Sequence, residues 1–147
     1  MGELMTATHN FGVAPIRAAT TADTFKGALY LTTATVNAST TAYSVTNEVS
    51  GTGYTPGGVT VTFGTAPTAT NSSATAGVAF VTPSASITYT TVTLATAFDA
   101  VLIYNSTQTN KAVSVHTFGS QTVTAGTFTL TMPANTTSTA LIRLATT

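Results

Sequence analysis

Six side chains carry the ionisable groups that enzymes most often use near neutral pH. They are four carboxylates and two histidines, namely Glu3, Asp23, Glu48, Asp99, His9 and His116. Acid/base catalysis by paired carboxylates needs a separation on the order of 5 to 10 Å, and only the fold can bring Glu48 and Asp99 that close. Sparse carboxylates usually serve structure, so we expect both to hydrogen-bond loop N–H groups or an interface arginine.

The sequence shows no pattern for a metal, a cofactor or an activated nucleophile. His9 and His116 lie far apart and lack HExxH-type spacing, and the chain has no cysteine for a thiolate ligand or a disulfide. Segment 51–56 (GTGYTP) begins like a dinucleotide fingerprint, but Pro56 replaces the third glycine and a predicted strand follows instead of a helix. We therefore predict no catalytic, cofactor-binding or metal-binding residue, and no enzyme.

Tyrosines are the remaining side chains with a chemistry suited to binding. The chain has five, at Tyr30, Tyr43, Tyr54, Tyr89 and Tyr104. Together they would suit a platform for stacking on sugars, but most are better explained by packing on strand faces with the hydroxyl reaching water. Tyr54 is the exception, because it lies in a glycine-rich segment and belongs to no sheet face.

The elements that must position these side chains belong to a chain with very few charges. Its 147 residues suit one domain, and 5% are charged against about 25% in typical soluble domains. The four basic residues are scattered, so no basic stripe predicts nucleic-acid binding. With a formal net charge of +0, copies repel one another little, which favours assembly. We expect synthesis in a cytoplasm and no membrane contact, since neither a secretory signal nor about 20 successive apolar residues is present.

Apolar alternation with a period of two predicts an all-β fold. Strands are predicted at residues 25–32, 43–49, 59–63, 77–81, 87–94, 100–104, 111–118, 120–124, 127–132 and 139–145. Turn signals at short intervals favour a single-domain β-sandwich of jelly-roll or Greek-key type. Residues 1–24 show no period and are predicted to form an extended N-terminal arm, with a flexible terminus as the alternative and the sandwich at residues 25–147.

Several details of the strands can be predicted from parity and turn residues. A switch of parity after Tyr89 predicts a β-bulge near Thr90 and Thr91. The apolar run 100–104 predicts a central strand covered on both faces, and residues 64–77 predict a loop or irregular edge. Ala125-Gly126 predicts a hairpin turn.

The next strand along the chain, at residues 111–118, has its own parity prediction. Val113 and Val115 are expected to point inward and His116 outward.

The glycine-rich connection after Glu48 is the most distinctive segment. Glycine permits backbone shapes that other residues avoid, and Pro56 fixes one dihedral angle, so segment 47–58 predicts a structured connection between two strands. We predict an interface here and at the arm. Its residues are Glu48, Gly51, Gly53, Tyr54, Pro56 and Arg17.

Three segments carry a family resemblance. Segments 25–31 (FKGALYL), 41–58 (TAYSVTNEVSGTGYTPGG) and 99–105 (DAVLIYN) resemble small virion structural proteins encoded by tailed bacteriophages. The resemblance covers roughly residues 25–120 and brings no catalytic motif. It implies a capsid decoration or cement protein that contacts the major capsid protein at the capsid surface of the virion. A homotrimer would match the local three-fold positions of a shell. The alternative is a tail or fibre component that binds host glycans through residues such as Tyr54.

Overall fold

The computed structural model describes residues 22–70 and 77–145, and all of the regular structure in these ranges is β. Its seven strands are β1 (Phe25–Leu31), β2 (Val59–Val61), β3 (Thr68–Thr70), β4 (Val78–Val81), β5 (Ile87–Asn105), β6 (Lys111–Leu130) and β7 (Ile142–Ala145). The predicted all-β, single-domain fold is confirmed. Among the described residues, no helix exists with the length and hydropathy needed to cross a membrane.

The strands form two antiparallel sheets. The four-stranded sheet has the order β2-β1-β5-β6, and the three-stranded sheet has the order β3-β4-β7. Strand β3 lies inside the segment 64–77 that was predicted to be a loop or irregular edge. Strand β7 begins at Ile142, later than predicted, because Thr136 and Thr139 form a hydroxyl-bonded turn before it.

Strand β5 is the centre of the molecule, as the apolar run 100–104 predicts. It pairs with β1 on one side and β6 on the other. Alternate residues of β5 face two separate clusters. The larger core contains Val101 and Ile103, and the smaller core contains Leu102 and Tyr104. Every residue from Ala100 to Asn105 is therefore buried.

The paired strands β5 and β6 fold back on themselves at a series of bulges. The register shifts between Tyr89 and Val92, and Thr91 has a positive φ of 54°, so the predicted bulge is confirmed. Beyond the bulges, Ile87 faces the same small cavity as Val101 and Ile103. The paired strands β5 and β6 thus form one bent ribbon, and its two halves, on either side of the bulges, form opposite layers of the larger core.

The predicted hairpin at Ala125-Gly126 is wrong. Strand β6 runs without interruption through this point and stays paired to β5, with Gly126 opposite Val92. Ala125 adopts a positive φ of 46° because it is a bulged residue that compensates the bulge on β5. The same residue types mark turns and bulges, and the pairing partner decides between them.

The inward and outward assignment around Val113 is also wrong in part. Ile103 pairs with Ser114 but Tyr104 pairs with Ala112, so Val113 is an extra residue in the ladder. One inserted residue exchanges the faces of all residues beyond it. Val113 accordingly belongs to the larger core and Val115 packs against the smaller core.

The segment 43–49, predicted as a strand, is part of a long loop from residue 32 to residue 58. The loop pairs with the strands through isolated bridges, at Ala42 with Lys111, at Glu48 with Tyr30 and at Thr52 with Thr93. The loop crosses the outer face of the four-stranded sheet, where Ala34, Val36 and Tyr43 cover the smaller core. Residues 1–21 of the predicted arm, including Arg17, lie outside the described residues.

Candidate functional site

The carboxylate of Glu48 is held at the free edge of β1, where the two cores meet. Beyond the end of β2, the loop pairs with β1 through two backbone hydrogen bonds. The Leu31 N–H donates to the Asn47 carbonyl at 3.0 Å, and the Val49 N–H donates to the Leu29 carbonyl at 2.9 Å. Asn47 takes a positive φ of 58°, which asparagine tolerates better than most residues. Glu48 is thereby fixed in place with 8% of its surface exposed.

Three donors converge on this carboxylate. The Tyr43 hydroxyl donates to Oε2 at 2.6 Å, while the Tyr54 hydroxyl and the Gly57 N–H donate to Oε1 at 2.8 and 2.7 Å. We call Glu48, Tyr43, Tyr54 and Gly57 the Glu48 cluster. Tyr54 belongs to the larger core and Tyr43 packs on the smaller core, so the carboxylate links both. The expected hydrogen bonding of Glu48 to a loop N–H group is confirmed.

The prediction that tyrosine hydroxyls reach water is wrong for this fold. Each hydroxyl donates to a protein acceptor. Beyond the Glu48 cluster the acceptors are Ser44 O for Tyr30 at 2.5 Å, Gly27 O for Tyr89 at 2.7 Å and Gly57 O for Tyr104 at 2.8 Å. The rings also stack, with centroids 4.6 Å apart for Tyr43–Tyr104 and 5.9 Å for Tyr54–Tyr89.

Burial makes these hydroxyls poorer acids than free tyrosine. Burial first, and then the nearby Glu48 charge, raises the pKa of Tyr104 to about 12. For Tyr43, burial and the Glu48 carboxylate raise the pKa further. Burial also dominates the raised pKa of Tyr54, although its hydroxyl accepts a hydrogen bond from the Leu29 N–H at 3.0 Å. The cluster therefore presents protonated donors, which suits structural hydrogen bonding and not proton abstraction.

The glycines of the connection allow the loop to lie directly on the sheet. Gly58 has a φ of 73°, and a Cβ atom there would overlap the carbonyl of Gly27. A Cβ atom on Gly53, whose φ is 78°, would also lie too close to the Thr91 carbonyl oxygen. Thr52, which precedes Gly53, bridges to Thr93, whose N–H donates to the Thr52 carbonyl at 2.9 Å. The loop thus covers the edge of β5 that β6 leaves open.

The residues predicted as an interface divide into buried and exposed groups. Glu48 and Tyr54 are buried within the chain, whereas Gly51, Gly53 and Pro56 are exposed. Arg17 lies outside the described residues, and the use of any of the six as an interface stays a prediction. Sequence reasoning missed Tyr43 and Gly57 as partners of Glu48. A signal for such partners existed. Glu48 is the only charged residue between Lys26 and Asp99, and a lone carboxylate inside a fold needs hydrogen-bond donors from nearby segments.

A second polar cluster fixes the start of β1 to the end of β5. Asn105 is fully buried, and its side-chain amide donates to the Asp23 carboxylate at 2.7 Å. The Asn105 Oδ1 accepts from the N–H groups of Thr107 and Gln108, both at 3.1 Å. These bonds close the predicted turn after β5 and give Asn105 a structural role.

His116 is the residue whose surroundings differ most from expectation. It was predicted to point outward, but the bulge at Val113 places it opposite Val101, beside Ile103 and Phe118. Burial lowers its pKa, and its Nε2 lies 2.9 Å from the Ser114 hydroxyl. In the described part of the chain no carboxylate contacts this pair. An orienting acid and an oxyanion site, which nucleophilic catalysis by serine uses, are not assembled here.

One open depression of the described surface lies against the start of β6. A groove of about 300 Å³ lies between Ala112–Val115 of β6 and Leu141–Arg143 near β7. Its one charged side chain, Arg143, donates to the Ser138 carbonyl at 2.7 Å. Across residues 22–70 and 77–145, no three His, Cys, Asp or Glu side chains come together as a metal-ligand set.

Comparison with known proteins gives no relative for this arrangement: the chain matches no family model, no curated protein and no solved structure.

Proposed function

We propose that this chain is a non-enzymatic virion structural protein that decorates and stabilises a phage capsid. The observation that carries the proposal is how the side chains able to do chemistry are used. Glu48 and all five tyrosine hydroxyls bond to protein groups inside the fold. The surface of the described residues is mainly uncharged, which suits broad contact with other subunits.

The family resemblance supports the same proposal in a specific way. The three segments that carry it, at residues 25–31, 41–58 and 99–105, supply the members and neighbours of the Glu48 cluster: Tyr30, Tyr43, Glu48, Tyr54, Gly57 and Tyr104. The resemblance therefore follows one structural unit and not scattered positions. Such a unit preserves a rigid body on which contact surfaces can vary.

The proposed partners are the major capsid protein and further copies of this chain. Binding between capsid subunits would stabilise the shell by mass action, because it adds buried area only in the assembled state. A homotrimer at local three-fold positions is the arrangement that the shell symmetry favours. A glycan-binding tail component has less support, since Tyr54 is 8% exposed and its hydroxyl is occupied.

Electron microscopy of the virion that carries this chain tests the proposal. Extra density of about this chain's mass, repeated over the head lattice, is the expected result. The purified chain should also sediment with expanded capsids of that phage, and a heat-unfolded sample serves as the control. Density confined to the tail, or no sedimentation with capsids, would overturn the proposal.

A further inference from the structure

One side of the folded ribbon is left partly uncovered. The apolar residues of the larger core that are only partly buried lie mainly on β6 and just after it, at Phe118, Val123, Phe128, Leu130 and Met132. By contrast, the residues of β5 in the same core are buried, and of those on β1 only Leu31 is partly buried. We call the five residues the β6 flank.

None of the described strands pairs with the backbone edge next to this flank. Strand β6 is the last strand of its sheet. Among residues 22–70 and 77–145, only the loop at Thr41–Tyr43 bonds to its outer edge, and it does so at the very start of β6, where the Ala112 N–H donates to the Thr41 carbonyl at 2.9 Å. An unpaired edge of this length is a template for another strand.

The usual protections of an edge strand are weakest in the last part of β6. Natural edges carry charges, proline or bulges. The register of β6 is interrupted near Val113, between Thr117 and Gln121, and near Ala125, but from Phe128 to Leu130 each residue stays in simple register with Tyr89 to Ile87. The sequence from 126 to 130 (GTFTL) contains no charge and no proline. In the half of the ribbon that contains Ile87–Tyr89 and Phe128–Leu130, β5 and β6 are the only long strands among the described residues, and two strands alone are marginally stable.

A second copy of the chain is the occupant that fits this edge. The other free edges, β2, β3 and β7, have three, three and four residues, so none offers a ladder as long as β6. Two β6 edges related by a two-fold axis pair antiparallel by necessity. No like charges meet across that axis, because residues 112–130 contain no Asp, Glu, Lys or Arg. The two β6 flanks would then cover each other.

We propose that β6 pairs with β6 of a second copy around a two-fold axis near Phe128. The pairing joins the two short ribbon halves into a four-stranded sheet. This pairing needs only a second copy of the chain, so it does not depend on the proposed role at a capsid. On a shell, a two-fold contact of this kind would connect neighbouring three-fold groups.

Charge substitution at exposed positions tests the pairing. Thr129 is exposed and lies on the face of β6 away from the larger core, so Thr129→Lys leaves the core intact while placing two positive charges across the axis. Like charges brought together in this way weaken association by about tenfold or more. Sedimentation equilibrium of the full chain should show a mass halved by Thr129→Lys. Thr60→Lys, at an exposed position of β2, should leave the mass unchanged.

A cysteine test reports the geometry directly, because the chain has no native cysteine. In the double variant Thr127→Cys with Thr129→Cys, the two side chains of one strand point the same way with Cβ atoms about 6.6 Å apart, against about 3.5 to 4.5 Å in a disulfide, so they do not bridge. Each instead opposes a thiol of the second copy, and mild oxidation should give covalent dimers. Thr60→Cys should give none.

Two results would overturn the proposal. One is an unchanged mass in Thr129→Lys together with an absence of β6 disulfides. The other is a wild-type chain that is monomeric at all concentrations. If that monomer binds capsids through the β6 flank, the partner of β6 is the capsid protein and not a second copy. Capsid binding that fails while β6 disulfides form would instead count against the decoration role alone.

Discussion

Glu48 is a carboxylate enclosed in a chain with very few charges, and its three donors determine what its loss would cost. Burying an ionised group costs several kcal/mol unless hydrogen bonds replace its water. Here two hydroxyls and one backbone N–H supply them, at 2.6 to 2.8 Å. Each such bond to a charged group contributes on the order of 1.5 to 3 kcal/mol, so the cluster is a concentrated source of stability.

Removal of this carboxylate should destabilise the whole domain. Glu48→Ala leaves the hydroxyls of Tyr43 and Tyr54 and the Gly57 N–H without their acceptor, and we expect the free energy of unfolding to fall by about 3 to 5 kcal/mol. Urea unfolding followed by circular dichroism measures the loss. Asp99→Asn is the matched control, because Asp99 accepts no hydrogen bond within the described structure, and it should cost less than about 1 kcal/mol. Equal urea midpoints for the two variants would contradict a stabilising role.

The raised tyrosine pKa values predict sensitivity to alkaline pH. The unfolded chain releases tyrosine protons near the ordinary value of 10.0, while the folded chain holds them longer, to about 12 at Tyr104. Above pH 10 the unfolded state therefore binds fewer protons, and stability falls as pH rises. We expect the urea midpoint to drop between pH 10 and pH 12.

Replacement of cluster tyrosines provides the check on this alkaline loss. Tyr54→Phe and Tyr104→Phe each remove one group whose folded pKa is raised, so each should make the pH slope shallower even though it lowers stability at pH 8. Tyrosinate absorbance of the folded wild-type chain should stay low at pH 10. A full tyrosinate signal at that pH, with the fold intact, would show that the hydroxyls are open to solvent.

At the scale of elements, the glycine connection determines whether the loop can lie on the sheet. Gly58→Ala places a Cβ atom against the Gly27 carbonyl and strains a φ of 73°, so the loop must move away from β1. We expect a loss of at least about 2 to 3 kcal/mol in the free energy of unfolding. Gly119→Ala is the control: its Cβ atom meets nothing within 4 Å, and the expected change is within about 0.5 kcal/mol. A similar tolerance of both alanines, measured by thermal unfolding, would show that the loop is not held this closely.

Local alternation was sufficient to predict most of the strands, because side-chain period is a property of each short segment. Strands β1, β2 and β4, the buried run of β5 and the bulge near Thr91 all follow from it. The failures depend on partners distant in sequence. Ala125-Gly126 is a bulge because β5 continues opposite it, and His116 changes face because Val113 has no partner of its own. Neither fact is present in the local pattern.

The Glu48 cluster could be predicted only in part for the same reason. A lone carboxylate beside glycines indicates hydrogen bonds to loop N–H groups, and Gly57 supplies one. The loop that includes Tyr43 was predicted as a strand, which would have placed its hydroxyl in water. Only the path of the chain across the smaller core shows that Tyr43 and Tyr54 reach the same carboxylate from opposite faces of the sheet.

At the scale of the whole molecule, the fold separates a closed side from an open one. The Glu48 cluster and the glycine connection fasten the loop to the edges of β1 and β5, so that side has few free backbone groups. On the other side, no described strand pairs with the outer edge of β6, and the apolar residues of the β6 flank are partly exposed. A body that is rigid on one side and open to strand pairing on the other suits a protein whose role is contact.

Such contacts should be nearly independent of ionic strength, because they contain almost no charge. With 5% charged residues and a formal net charge of +0, we expect electrostatic forces between copies to be weak. Raising the salt from about 0.1 M to 1 M shortens the Debye length from about 10 Å to 3 Å, which abolishes association that depends on surface charges. For this chain we expect the dissociation constant for self-association, measured by sedimentation, to change less than about threefold in sodium chloride. Sulfate should tighten it, because excluded salts strengthen apolar burial. The Thr129→Lys variant is the internal control, because screening of its added charges should restore part of the association at 1 M salt. A steep loss of wild-type association with increasing salt would contradict the prediction and show that the few charged residues govern the contact.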